Sequence, residues 1–525
     1  MRYAIFKDIQ WMHTDTACKL RGSQKVSLFC ARNSSAAFQI LIEEEKKINV
    51  MLTSPAVDNI SIDIYNILPV YVEKNTGEKG YTAGPYDSLD HVLRKVPFCV
   101  YDALEPYEPD ASPQYSAEGR HAFYICFRVL SSCLPGFYRF QISFDTGENK
   151  TIIDVGLQVY NVCVPDKRHL KISNWYNIGN IASRHGKVIW SEDFWDMFEQ
   201  YAILMARTRQ THFLLPFDSV IIKSEQGELK FSFENTERLI KMFFKLGFTT
   251  IEGGPVARQR FLEDERFVLV TNPDIPATSG EGLEFQEKYY RALYSFLNDL
   301  GCLDRYVQHV ADEPFDSSKE DYIRLSANIR RWLPNVPLID AICTSELMEA
   351  PDISVLDCRR FEENPDYYIE YQKHRELWIY TCALPGGHYC NRLLDIPLLK
   401  TRLLHWGNSK YGFTGYLHWG FNCYRENQHP FLHTSPFFTA TRFEAYLPPG
   451  DTHLVYPGKN GPIGSVRLEQ MRAGVEDHEL LEMLKEKDIH EANNIIESCF
   501  RSFSDVCISS QFSNASRNLL TALSR

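Results

Sequence analysis

Two carboxylic acids stand side by side at Asp312-Glu313, one residue after the apolar run Tyr306-Val307-Gln308-His309-Val310 and directly before Pro314. That run reads as a short buried strand, and Pro314, which has no N–H to donate, marks where its ladder must stop. The acids therefore sit on a strand tip. Successive strand side chains point to opposite faces, so Asp312 and Glu313 can share a pocket only where the backbone leaves regular geometry, as a tip permits. The competing reading is that one acid caps a helix beginning near Ser317 while the other is solvated.

The elements that must position this pair divide the chain in two. At 525 residues, 44% hydrophobic and 13% aromatic, the chain exceeds what one hydrophobic core fills, so at least two domains are expected. Residues 1–165 alternate polar and apolar positions without helical periodicity, as in Val26–Cys30, Ala37–Ile42, Ala122–Val129 and Phe137–Ile142, with Pro135-Gly136 as a turn signal. This part is expected to be an N-terminal β-sandwich. Glu73 to Pro113, rich in Pro, Gly, Asp and Tyr, reads as a long irregular connection.

After Val164-Pro165-Asp166 the pattern becomes short apolar strands separated by amphipathic helices. Ser191 reads as an N-cap followed by Phe194, Met197, Phe198, Tyr201, Leu204 and Met205 on one helical face; Leu239, Ile240, Phe243 and Phe244 end at Gly247 in the same way. The strands are Leu170–Trp175, Thr211–Leu215, Phe248–Ile251, Tyr306–Val310, Pro337–Ala341, Ile353–Leu356, Leu377–Cys382 and Phe413–Trp419. Eight strands in this span predict an α/β fold, a (β/α)8 TIM-type barrel over residues 166–490, with a helical tail at 491–525. An open doubly wound sheet is the alternative, though no GxGxxG follows a first strand.

Chemistry in such a barrel gathers at the C-terminal strand ends. Those ends read Asn174-Trp175-Tyr176-Asn177, Pro216-Phe217, Glu252-Gly253-Gly254, Asp312-Glu313, Asp340, Asp357, Tyr380-Thr381 and His418-Trp419-Gly420-Phe421-Asn422. Flat aromatics mixed with carboxylates and amides suit a sugar, whose apolar face stacks on rings while its hydroxyls take hydrogen bonds. Binding candidates on this basis are Trp175, Asn177, Tyr380, Trp419 and Asn422, joined by Tyr389, Asn391 and Arg392 from the Gly386–Arg392 loop. An Arg392–Asp395 ion pair is the structural alternative for Arg392. His309, one residue behind the tip, is expected to support an acid rather than to react.

Glycosidases that use two carboxyl groups hold them about 5–5.5 Å apart for retention or about 6.5–9.5 Å for inversion, and neighbouring residues can hardly flank the scissile bond. Another division of labour suits Asp312-Glu313: Glu313 protonates the leaving oxygen, the substrate's own 2-acetamido oxygen attacks the anomeric carbon, and Asp312 orients the acetamide N–H. Glu313 should then have a raised pKa.

Four blocks in order resemble the catalytic domain of glycoside hydrolase family 123: His309–Pro314, Gly415–Asn422, Gly450-Asp451 with Val455–Gly458, and Ser465–Glu469 with Arg472–Leu481. The resemblance implies an N-terminal β-sandwich, a (β/α)8 barrel and retaining β-N-acetylgalactosaminidase activity by substrate assistance. It also implies Asp312 as the acetamide-orienting residue and Glu313 as the acid/base.

Composition limits the remaining classes. A net charge of −12 and a pI near 5.8 argue against nucleic-acid backbone binding. No run reaches the ~18 apolar residues of a membrane span, no apolar leader stands at the N-terminus, and the fourteen cysteines show no CxxC spacing. Reduced thiols, a cytoplasmic location, a glycan substrate and no cofactor are the expectations. The rivals are a noncatalytic carbohydrate-binding protein and a metal-dependent hydrolase built on His309, Asp312 and Glu313 with His388 or His418; their spacing matches no common metal signature.

Overall fold

The computed structural model describes residues 1–20, 23–77, 91–225, 228–261, 264–438 and 445–525. Eight parallel strands form one sheet: β1 (Lys171–Asn174), β2 (His212–Leu215), β3 (Thr250–Gly253), β4 (Tyr306–His309), β5 (Leu338–Ala341), β6 (Ile353–Asp357), β7 (Glu376–Tyr380) and β8 (Gly415–His418). β1 pairs with β8, and the remaining neighbours follow in sequence round to β2. The gap between β1 and β2 is bridged by Thr211, whose N–H donates to Ile172 O at 3.1 Å and whose hydroxyl accepts from the Ile172 N–H at 2.8 Å. The sheet is thereby a closed barrel, as the strand count predicts.

Its interior is filled by Val307, Ile339, Ala341, Ile353, Val355, Trp378, Tyr380 and Leu417. These are alternate residues of their strands, which is how a barrel packs side chains in layers. Trp378 fits only because Gly415 faces it; a Cβ there would lie 2.1 Å from the indole. Gly415→Ala should overpack this layer and cost about 1–3 kcal/mol, read as a lower urea midpoint with an unchanged slope.

The helices outside follow the amphipathic reading. Glu192–Arg207 starts at Ser191, whose hydroxyl accepts from the Phe194 N–H, and Glu234–Lys245 is followed by left-handed Gly247 at φ 90°. The fifth crossover departs from the pattern, with only a 3-10 turn at Ser345–Leu347 between β5 and β6. The helical segments around Ser465–Arg472 and Asp477–Leu484 are one 22-residue helix, Val466–Lys487, buried along nearly its whole length. Helices Ile489–Glu497 and Ser509–Ser524 follow it.

Two sheets precede the barrel. The larger has the order Arg2–Lys7, Ser34–Glu43, Arg120–Val129, Ile60–Val72, Phe98–Pro106, Pro462–Ser465, Tyr456–Pro457; the smaller has Lys25–Arg32, Lys150–Cys163, Gly136–Asp145, Asn49–Leu52. Phe38, Ile40 and Ile42 meet Phe140, Ile142 and Val155 in the sandwich core. The other face of the larger sheet, with Ala37, Leu41 and Leu104, packs on Leu394, Leu398, Phe431 and Val466. Burial on both faces explains why Ala37–Ile42 is apolar almost throughout. Two strands of this sheet come from beyond the barrel, so the later chain completes the earlier sheet.

One expectation needs correction. Within Glu73–Pro113, Phe98–Pro106 is a nine-residue strand paired with Ile60–Val72, its apolar run obscured by flanking Pro and acidic residues. Residues 78–90 of that segment lie outside the described residues. None of the fourteen cysteines is in a disulfide. Among the described residues no helix is long and apolar enough to cross a membrane.

Candidate active site

β4 ends at His309, one residue earlier than the apolar run suggests, and the reason is Asp340. This buried carboxylate takes the N–H groups that would otherwise continue the ladder: Oδ2 accepts from Val310 and Ala311 at 3.0 Å each, and Oδ1 from Asp312 at 3.3 Å. Wrapped around that anion, the chain passes through two consecutive left-handed residues, Asp312 at φ 54° and Glu313 at φ 44°. Such positions cost roughly 1–3 kcal/mol each and persist only where the surroundings over-determine them. Here the Glu313 N–H donates to Ala341 O at 3.1 Å, and Gln259 Nε2 donates to Glu313 O at 2.8 Å.

The same turn decides between the two readings of the acids. Neither caps the following helix: the turn at Asp316–Ser318 is closed by the Ser318 hydroxyl accepting from the Phe315 N–H. Glu313 instead reaches the end of β7, where the Tyr380 hydroxyl donates to its Oε1 at 2.9 Å. Burial pushes the Glu313 carboxyl above the ordinary range; the Tyr380 hydrogen bond opposes this, and the nearby charges of Asp357 and Asp451 add to it. The Asp312 carboxyl is pushed up as well, first by burial, then by Glu313 and Asp340. Two neighbouring acids that resist joint ionisation hold a proton between them into the range where isolated carboxyls have lost theirs.

Behind the acids lies a buried charged network. His309 is fully buried between two carboxylates, with Nδ1 2.7 Å from Asp340 Oδ1 and Nε2 2.5 Å from Glu252 Oε1. Burial disfavours its charged form, but the two acids outweigh burial and raise its pKa to about 10, so the ring is an imidazolium. Glu252 is completed by the Ser173 hydroxyl and by the Trp175 indole N–H at 2.8 Å, and Asp340 by the Tyr322 hydroxyl at 2.8 Å. The network thus ties the Trp175 ring to the backbone of the Asp312-Glu313 turn. A ring with both nitrogens committed to carboxylates is no metal ligand, and the described residues hold no cluster of three or more His, Cys, Asp or Glu arranged for a metal.

The binding candidates separate into two groups. Trp175 and Tyr380 pack with the inward-facing residues of the barrel, and Trp419 directly follows β8; Trp175 stands edge-on to His309 at 5.1 Å. Asn391, Arg392 and Asn422 are buried in supporting roles instead. Asn391 Nδ2 donates to Cys382 O and Pro385 O, and Asn422 exchanges hydrogen bonds with the Asn177 backbone at 2.8 and 3.1 Å. Asn177 caps helix Ile178–Arg184 by accepting from the Asn180 N–H. Arg392 donates to Asn174 Oδ1 at 3.1 Å and makes no ion pair with Asp395, whose carboxylate is taken by Asn75 and Thr76. Tyr389 is half-buried against the core around the barrel. An amide or guanidinium just past a strand serves loop closure as readily as ligand, and spacing alone carries no sign of which.

The family model described as "Glycoside hydrolase 123, catalytic domain" matches residues 175–484, more than half of the chain. The chain belongs to glycoside hydrolase family 123. Among solved structures, a family 123 glycoside hydrolase from Clostridium perfringens, described in terms of glycolipid glycan hydrolysis, superposes with a TM-score of 0.75 at 14% identity, covering 99% of this chain and 97% of that one. A β-D-glucuronidase from Dictyoglomus thermophilum (TM-score 0.36, 12% identity, 82% of this chain and 68% of that one) is also similar. So is a GH10 xylanase with an Ig-like domain from termite gut (TM-score 0.32, 9% identity, 68% and 90%). No curated protein matches the chain.

As a family 123 glycoside hydrolase the chain acts on glycans, and its site includes two groups that motif reading did not select. Glu252 and Asp340 were visible only as acids at strand ends; their pairing with His309 depends on β3, β4 and β5 being adjacent.

Proposed function

We propose that this family 123 enzyme is a retaining, exo-acting hydrolase of terminal β-linked N-acetylhexosamine, best N-acetylgalactosamine, working by substrate assistance. The observation that carries the reading is the pair of consecutive left-handed residues, which lets adjacent carboxyls serve one pocket. Glu313 gives its proton to the glycosidic oxygen as the acetamide oxygen attacks the anomeric carbon and the aglycone leaves. The resulting oxazolinium places its N–H against Asp312. In the substrate the same N–H, as an acetamide, already donates to Asp312 and favours its anion, so the proton held by the pair resides on Glu313 before the bond breaks. Glu313, now a carboxylate steadied by the Tyr380 hydroxyl, takes a proton from water, which opens the intermediate from the face the aglycone left; two inversions give retention.

Trp175 and Trp419 supply ring faces for the sugar. The glycolipid glycans named for the Clostridium relative make a glycan carried on lipid a reasonable natural substrate here.

The test is a panel of 4-nitrophenyl β-glycosides with and without the 2-acetamido group. Asp312→Asn should lose roughly 10²–10³-fold in kcat on the acetamido substrates, the scale of removing one group aimed at developing charge. Wild-type enzyme should be inhibited by a cyclic thiazoline mimic of the intermediate. Hydrolysis of the plain β-galactoside as fast as its acetamido counterpart would sink the mechanism.

A further inference from the structure

Beyond the acids, Asp451 is a buried carboxyl group that follows left-handed Gly450. It is 1% exposed, and among the described residues neither carboxylate oxygen closes a hydrogen bond. Buried carboxylates without donors are costly, so an unsatisfied one calls for a physical reason.

The surroundings supply it. Gly450, left-handed at φ 83°, leaves no space for a Cβ, which would meet the Arg467 guanidinium at 2.5 Å; that guanidinium is itself fixed by Asp102, Arg392 O and Gly450 O. The Asp451 backbone is therefore held. Around it bends the end of β8: a Cβ on Gly420 would lie 2.3 Å from Asp451 O. His418 Nδ1 accepts from the Gly420 N–H at 2.7 Å, which leaves the N–H of the neutral ring on Nε2, 3.3 Å from Asp451 Oδ1. Between His418 and Gly420 comes Trp419, with its indole N–H directed at the same carboxylate and the Arg425 guanidinium 5.3 Å over its ring. Two N–H donors thus converge on one carboxyl group, which burial pushes up to about 7, and neither reaches it in regular hydrogen-bond geometry.

We propose that Asp451 is a positioning residue for Trp419: the sugar, packing against the ring, closes the indole N–H onto the carboxylate. This rests on the reading of Trp419 as a sugar platform. Donor–acceptor pairs in ligand-free sites are often long and tighten only in the complex. The contact then strengthens binding of the terminal sugar without touching the reacting atoms.

A double-mutant cycle tests this on the full chain, by calorimetric binding of free N-acetylgalactosamine and by KM and kcat on its 4-nitrophenyl β-glycoside. Asp451→Ala and Trp419→Phe, the second keeping a ring but losing the N–H, should each weaken binding about tenfold, the scale of one hydrogen bond to a charged group. KM should rise alike, and kcat should stay within about threefold for Trp419→Phe, which leaves in place the Asp451 charge acting on Glu313. The double variant should bind no more weakly than the weaker single one, and Asp451→Asn, which keeps an acceptor, should stay within about threefold of wild type. Multiplying effects, a fall in kcat at unchanged KM, or Trp419→Phe binding like wild type would each overturn the proposal. If Asp451→Ala fails to fold, Trp419→Phe and Asp451→Asn still decide it. Binding needs no turnover, so a chain that binds the sugar and does not hydrolyse the glycoside refutes the mechanism above without touching this proposal.

Discussion

Glu313→Gln should lower kcat on 4-nitrophenyl N-acetyl-β-galactosaminide by roughly 10²–10⁴-fold, the contribution of a positioned proton donor. Glutamine keeps the side-chain length and still accepts from the Tyr380 hydroxyl, so the loss isolates the proton. In wild type the kcat/KM profile should fall on the alkaline side as Glu313 deprotonates, and burial places that limb above the range of an ordinary carboxyl. The variant's residual rate should lack this limb. Stability should move the other way. A carboxyl whose pKa is raised by folding is stabilising relative to its ionised form only at low pH, and its contribution falls as pH rises above the unfolded value near 4.3. Thermal unfolding of Glu313→Gln should therefore occur at higher temperature than wild type at pH 7 and at the same temperature near pH 4. A variant with wild-type kcat would remove Glu313 from the chemistry.

Asp340→Ala should be the most damaging change outside the Asp312-Glu313 pair. It removes the acceptor for three consecutive backbone N–H groups, frees the Tyr322 hydroxyl, and leaves the His309 imidazolium with Glu252 alone. Breaking a buried ion pair by deleting one partner costs about 3–5 kcal/mol. The left-handed turn also loses three of the hydrogen bonds that hold it, so kcat should fall at least about 10²-fold even in the folded fraction. Urea unfolding gives the first number and initial rates well below the transition give the second. Asp340→Asn, which keeps one acceptor oxygen in the same shape, should fall between. Full activity in a folded Asp340→Ala would mean that the turn does not depend on this anion.

The barrel strands were legible because each is a short apolar run closed by a polar or turn residue, and because eight such runs recur at the spacing of βα units. Val26–Cys30 and Phe137–Ile142 were legible for the related reason that period-two alternation survives wherever one sheet face is wet. Phe98–Pro106 was not, since strand pairing is a long-range choice and its neighbours in sequence look like loop. The carboxyl pair was legible from residue type and position alone. The roles of Asn391, Arg392 and Asn422 were not: a polar side chain past a strand end is spent on loop closure or left for ligand according to which backbone groups the fold brings beside it.

What the residues determined unaided was the eight-stranded barrel behind a sandwich and the placing of Asp312-Glu313 at the tip of the fourth strand, because both rest on local periodicity and on proline's missing N–H. Only the tertiary structure decided the left-handed turn that carries the two acids. That outcome needs Asp340 of the next strand to take three N–H groups and bend the chain into left-handed geometry, and it needs Glu252 of the preceding strand to balance the imidazolium between them. Contacts made across strands are set by which strands lie side by side, a property of the closed barrel and of no segment in it.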